Sequence, residues 1–207
     1  MGTEVWLRWA TTAAFLAVAG YCVARLTAAH RVPAGYPGRH RAVDVAHILM
    51  GVGMAAMASP VGGPLPSVAW QTIFLLLAAW FAGSWWHERR NGTPASDGMG
   101  WHGTGLHHAV AALAMLYMLA AMPHGAGHDP APWLPGHLEP GIALPALGRV
   151  LVGYFVVSAV LLVARTNWRP TPRPGPQPAI LRTPRITATC QTTMALGNGY
   201  LLLAMLG

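Results

Sequence analysis

The sequence contains no lysine, only two cysteines and only six acidic residues in 207. Charged side chains make up 9% of it, against about a quarter in an average soluble domain. With 54% of the residues hydrophobic, this shortage excludes an ordinary water-soluble globule and points to a membrane protein. The cysteines, Cys22 and Cys190, have no CxxC or other paired spacing, so a structural disulfide has no support, and both are read as small packing residues. The apolar segments hold no nucleophile beside a base, no phosphate loop and no carboxylate pair, which leans the reading away from an enzyme. His87-Glu88-Arg89-Arg90 lacks a second histidine at i+4 and is not a zincin motif.

All thirteen basic residues are arginines, and the formal net charge is +7. They lie mainly in short connections between apolar runs rather than among aromatics on a polar surface, so the charge is topogenic and does not imply nucleic acid. Six apolar runs are long enough to cross a hydrocarbon core of about 30 Å. They span about 5–26, 42–59, 67–86, 104–122, 142–164 and 187–206. The breaks between them are rich in proline and glycine, from Pro33 and Pro37 to the stretch between Pro170 and Pro184. No loop has room for a soluble domain. The expected fold is therefore all-α, a single domain over 1–207 forming an integral membrane bundle of about six transmembrane helices.

Eleven arginines fall beside the first, third and fifth connections, and only Arg8 and Arg149 fall on the other side. The positive-inside rule then makes those three connections cytoplasmic and puts the N- and C-termini both outside, in a multi-pass protein of the cell membrane. Trp6, Trp9, Trp85, Trp86, Trp101 and Trp168 sit at or near segment ends, as interfacial anchors do.

Within this frame two segments share one signature. Asp44 and His47 precede Met50, Met54 and Met57 in the second, and His107 and His108 precede Met115, Met118 and Met122 in the fourth. At about 100° per residue, each methionine set lies within an arc of roughly 80° from His47 or His108. His107 projects about 100° away from His108, so His108 is the one that shares the methionine face. With His87 at the end of the third segment, four histidines are placed to converge at the cytoplasmic level. Met194 and Met205, with Gln191 and Asn198, suggest a third, sparser stripe on the sixth segment. His124, His128, Asp129, His137 and Glu139 make the outer loop metal-friendly, although a solvated loop is the simpler reading.

A thioether is uncharged and polarizable, tolerates apolar surroundings and prefers Cu(I) to hard cations, and imidazole binds copper and zinc. The leading expectation is therefore a copper(I) path formed by His47, Met50, Met54, Met57, His108, Met115, Met118 and Met122. Two alternatives stay open. A b-type haem for electron transfer could take His47 and His108 as axial ligands, with Gly51, Gly53, Gly103 and Gly105 leaving room for the macrocycle. Methionine is also a common gap-filler, so the faces could simply pack in a structural or assembly subunit with no ligand.

The stretch from Asp44 to Met57, followed by Leu106-His107-His108 and by Ala114 to Met118, resembles a family of multipass membrane proteins from actinobacteria described only as a domain of unknown function. The likeness would cover nearly the whole chain. It implies the membrane class and brings no activity, ligand or site residue with it.

Overall fold

The computed structural model describes residues 2–31, 38–91, 105–121, 144–167, 180 and 184–206. Among them are six helices and no strand: α1 (Gly2–His30), α2 (Gly38–Ala58), α3 (Ser67–Arg90), α4 (Gly105–Ala121), α5 (Pro145–Asn167) and α6 (Pro184–Leu206). The helix ends follow from local chemistry. Pro60 lacks the N–H that another turn of α2 would need, and the Ser59 hydroxyl instead accepts a hydrogen bond from the Val61 N–H at 3.2 Å. Pro145 and Pro184 open α5 and α6 at the position where a missing N–H costs nothing. Arg89 and Arg90 place positive charge on the carbonyl end of α3, and they stack over Trp85 and Trp86 at 5.3 and 4.9 Å.

Helices pair in sequence as three hairpins, α1 with α2, α3 with α4 and α5 with α6, and the second helix of each hairpin turns inward so that α2, α4 and α6 meet at the centre. Burial follows this plan. Within its apolar span α2 is 61% buried, against 39% for α1, 22% for α3 and 28% for α5. The outer helices present Leu76, Trp80, Val150, Val157 and Val160 outward, a set of large apolar side chains that water would not tolerate as a continuous surface. α1, α2, α3 and α5 are each long and apolar enough to cross a membrane. α4 is apolar but has only 17 residues, and α6 carries Thr187, Thr189, Gln191, Thr192, Thr193 and Asn198. Both are inner helices, screened by their neighbours from an all-apolar requirement.

Cross-helix contacts fix the directions. Arg8, near the start of α1, donates from Nε to the Ala58 carbonyl at 3.2 Å and from Nη2 to the Ser59 carbonyl at 2.9 Å, so α1 runs antiparallel to α2. Gln71 of α3 donates to the Leu119 carbonyl of α4 at 3.3 Å, while Gly105 lies against Phe81 and Trp85. The Tyr117 hydroxyl donates to the Leu144 carbonyl at 3.1 Å, bringing the end of α4 to the start of α5. Arg25 reaches Thr187 near the start of α6, and Gly197 further along α6 lies against Phe15. The three inner helices therefore run parallel to one another and antiparallel to α1.

Arg8 thus caps α2: its guanidinium donates to the Ala58 carbonyl and joins the Gly62 N–H on the Ser59 carbonyl, and it sits at the negative end of the helix dipole. Arg8→Gln is expected to lower stability by about 1 kcal/mol, read as a shift of the thermal unfolding midpoint of the protein in detergent.

The six expected segments correspond to the six helices, with several ends moved. α1 continues past residue 26 to His30 and α3 past residue 86 to Arg90. Arg25 stays inside α1 because Asp44 and Thr187 satisfy it, and Arg89 and Arg90 stay helical because they complement the α3 terminus.

Candidate functional site

At the N-terminal end of the inner helices, α1, α2, α4, α5 and α6 contribute polar side chains to one buried layer, packed beside Phe81 of α3. Asp44 and His47 are three residues apart on α2 and so share a face. Cys22 and Arg25 have the same spacing on α1. Antiparallel packing sets these two faces against each other. The ligand atoms of Cys22, Asp44 and His47 all lie within 4.8 Å of one another, and the three residues are 1%, 2% and 5% exposed. Arg25 Nε is 3.7 Å from Asp44 Oδ2, and Nη1 donates to Thr187 Oγ1 on α6 at 2.7 Å. A buried arginine therefore ties α1, α2 and α6 together through one carboxylate and one hydroxyl.

His47 and His108 meet in the middle of this layer, with ring centroids 5.2 Å apart and planes tilted by 59°. Phe81 of α3 stacks on His108 as well, at 5.0 Å. His107 faces α5, where its Nδ1 is 2.8 Å from the Tyr154 hydroxyl. One residue of helical rotation thus separates a histidine facing the centre from one facing the outer hairpin. His87 does not join them. Its ring is exposed and lies 2.8 Å from Asn91 Nδ2 at the end of α3, more than one turn beyond Phe81.

Beyond the histidines the core is lined with sulfur. Met50, Met54, Met57, Met115 and Met118 are buried in a single cluster, together with Met194 and Met205 of α6. The parallel inner helices put these side chains in register. Met54 and Met115 each follow the central histidine of their own helix by seven residues, and Met57 and Met118 by ten. Those separations correspond to about 10 and 15 Å along the axis. Two close approaches hold the register. A Cβ on Gly53 would stand 3.3 Å from Met115 Cε, and one on Gly197 would stand 3.3 Å from Met54 Sδ while colliding with the Phe15 ring. Glycine at 197 is what leaves room for the Phe15 ring, with the Met54 sulfur close beside it, against the α6 backbone.

On α6, Gln191 falls at the level of the histidines and Asn198 at the level of Met54 and Met115. Asn198 is 1% exposed; its Nδ2 donates to the Met194 carbonyl at 3.0 Å, and its Oδ1 has no hydrogen-bond partner. A buried carbonyl dipole with a spare lone pair beside the thioethers adds one hard acceptor to an otherwise soft core.

Of the residues expected from sequence, His47, His108, Met50, Met54, Met57, Met115 and Met118 come together. Met122 and the outer-loop histidines His124, His128 and His137 lie outside the described residues, as do Asp129 and Glu139. Sequence reasoning missed the cluster on α1. Cys22 was read as packing and Arg25 as a topogenic charge, whereas both face Asp44 and His47. The available signal was their spacing, since an arginine three residues from a cysteine inside an apolar run matches the Asp44/His47 spacing on the next helix.

The sequence pattern of a family described as Domain of unknown function (DUF5134) matches residues 39–205. The chain belongs to that family. Within the DUF5134 match lie α3 to α6 and nearly all of α2, so His47, His108 and every core methionine are inside it, while α1 with Cys22 and Arg25 is outside. No curated protein and no solved structure matches the chain significantly.

Proposed function

We propose that this DUF5134 protein is a multipass membrane protein that binds copper(I) at His47 and His108 and relays it along the methionine faces of α2 and α4. The observation that carries the reading is the approach of His47 and His108 at the foot of both methionine sets. Two imidazoles that share one ion through metal–nitrogen bonds near 2.0 Å at a tetrahedral angle place their centroids roughly 5 Å apart. The observed 5.2 Å supports such a shared ion. A b-type haem between the same residues would need them on opposite faces of a macrocycle, and rings packed this closely beside Phe81 favour the ion.

In this reading the histidines receive the ion, and Met54, Met115, Met57 and Met118 offer soft neutral ligands at two deeper levels. Thioethers suit a transit path because each is a soft, uncharged donor that lies in apolar surroundings without the desolvation cost of a carboxylate. In this reading the histidine layer faces the cytoplasmic side of the cell membrane with both termini outside, an orientation that the excess of arginine beside the first, third and fifth connections supports.

Equilibrium titration of the purified chain with Cu(I) under reducing conditions tests the proposal. At least one ion should bind per chain, and His47→Leu or His108→Leu should weaken binding at least about tenfold. An intense Soret band in the purified protein would instead establish haem, and failure of Cu(I) to bind above the level of the doubly substituted variant would refute the copper reading.

A further inference from the structure

We propose that Cys22, Asp44 and His47 form the receiving site of this path, built for one soft monovalent cation, with Cys22 as the anionic ligand and the Arg25–Asp44 pair excluding divalent ions. This deepens the copper reading and rests on it. The geometry comes first. One sulfur, one carboxylate and one imidazole converge within 4.8 Å from two antiparallel helices, and His47 is shared with the His47–His108 pair. An ion held by Cys22 and His47 is therefore already at the ring that faces His108, from which the methionines continue.

Charge then decides which ion fits. Asp44 is balanced by Arg25 at 3.7 Å, and Arg25 is also held by Thr187. With that pair intact, a Cys22 thiolate and one monovalent cation sum to zero. A divalent cation on the same ligands leaves one more positive charge than a monovalent one among residues that are 1% to 8% exposed, so at this site the monovalent ion is favoured. The groups around Cys22 are consistent with this count: Arg25 on its own helix, Asp44 and His47 on α2, His108 beyond His47 on α4, and the second cysteine, Cys190, buried on α6. The donor types agree as well. A thiolate and an imidazole favour Cu(I) and Zn(II) alike over hard cations, so the charge count, with the carboxylate already occupied by a guanidinium, is what separates the two ions.

The exchange balances. The Cys22 S–H bond breaks, a Cu–S bond forms, the proton leaves to water at that end of the bundle, and copper stays in the +1 state throughout. Transfer onward to the thioethers reverses the first step, with the sulfur regaining a proton.

The test uses the purified full chain with Cu(I), competed by a chromophoric Cu(I) chelator, and separately with Zn(II). Wild type should show near-ultraviolet thiolate-to-copper absorption with one Cu(I) bound, and Zn(II) in equal amount should not displace it. Cys22→Ser should abolish the band and weaken Cu(I) binding at least about tenfold, whereas Cys190→Ser should keep the band. Should Cys22→Ser fail to fold, the wild-type band and its retention in Cys190→Ser still decide the matter. Copper bound by wild type without the band, a band lost in Cys190→Ser, or displacement by equimolar Zn(II) would overturn the receiving site while leaving the His/Met path standing. Absence of any Cu(I) binding would overturn both.

Discussion

Replacing Met50, Met54, Met57, Met115 and Met118 together with leucine should lower the retention of Cu(I) by at least about 100-fold while leaving the helical bundle folded. The two halves of this expectation have different causes. Leucine nearly conserves methionine volume, and such swaps in a packed core cost under about 1.5 kcal/mol each. All five side chains are between 0% and 4% exposed, so they already occupy sites shaped for an unbranched or γ-branched apolar group. The loss of affinity has nothing to do with packing. It follows from removing every thioether donor on α2 and α4 among the described residues, and an ion beyond His108 would then meet only the sparser donors of α6, Met194, Asn198 and Met205. Circular dichroism and thermal unfolding check the first half, and Cu(I) competition checks the second. Undiminished retention in a folded variant would return the methionines to the role of gap-fillers.

Asp44→Asn should be the most damaging single substitution in the polar layer, costing about 3–5 kcal/mol. The carboxylate is 2% exposed and its Arg25 partner 10%, so neutralising Asp44 leaves a guanidinium charge in a place with little water. Thr187 accepts from Arg25 but carries no charge to offset it. Asp44→Leu with Arg25→Leu should recover most of the loss, because removing both charges also removes the cost of holding them out of water. Thermal unfolding of the single and double variants closes the cycle. Equal stability of Asp44→Asn and wild type would mean that the 3.7 Å pair contributes nothing to holding α1 on α2.

The helices were legible because proline interrupts apolar runs wherever the chain turns, as at Ser59-Pro60, and that signal is local. The choice of His108 over His107 was legible too, since rotation about one helix axis settles which neighbour shares the methionine face. What could not be read was which helices meet. The parallel triad of α2, α4 and α6 arises because each hairpin tucks its second helix inward, and nothing within one segment records that choice. For the same reason Cys22 and Arg25 looked inert. Each is unremarkable alone, and the cluster exists only when α1 folds antiparallel onto α2. His87 misled in the opposite sense, because its position near the common level says nothing of its direction, which Asn91 sets.

The most direct measurement is copper K-edge X-ray absorption of the purified Cys22→Ser protein, which lacks the thiolate of the receiving site, loaded with one Cu(I) per chain, beside the same protein carrying the five leucines. A mixed shell of nitrogen and sulfur in the methionine-containing protein, with the sulfur contribution reduced in the leucine variant, is the predicted result. A shell of nitrogen and oxygen alone, or a sulfur signal identical in both proteins, would contradict a copper path through the methionines.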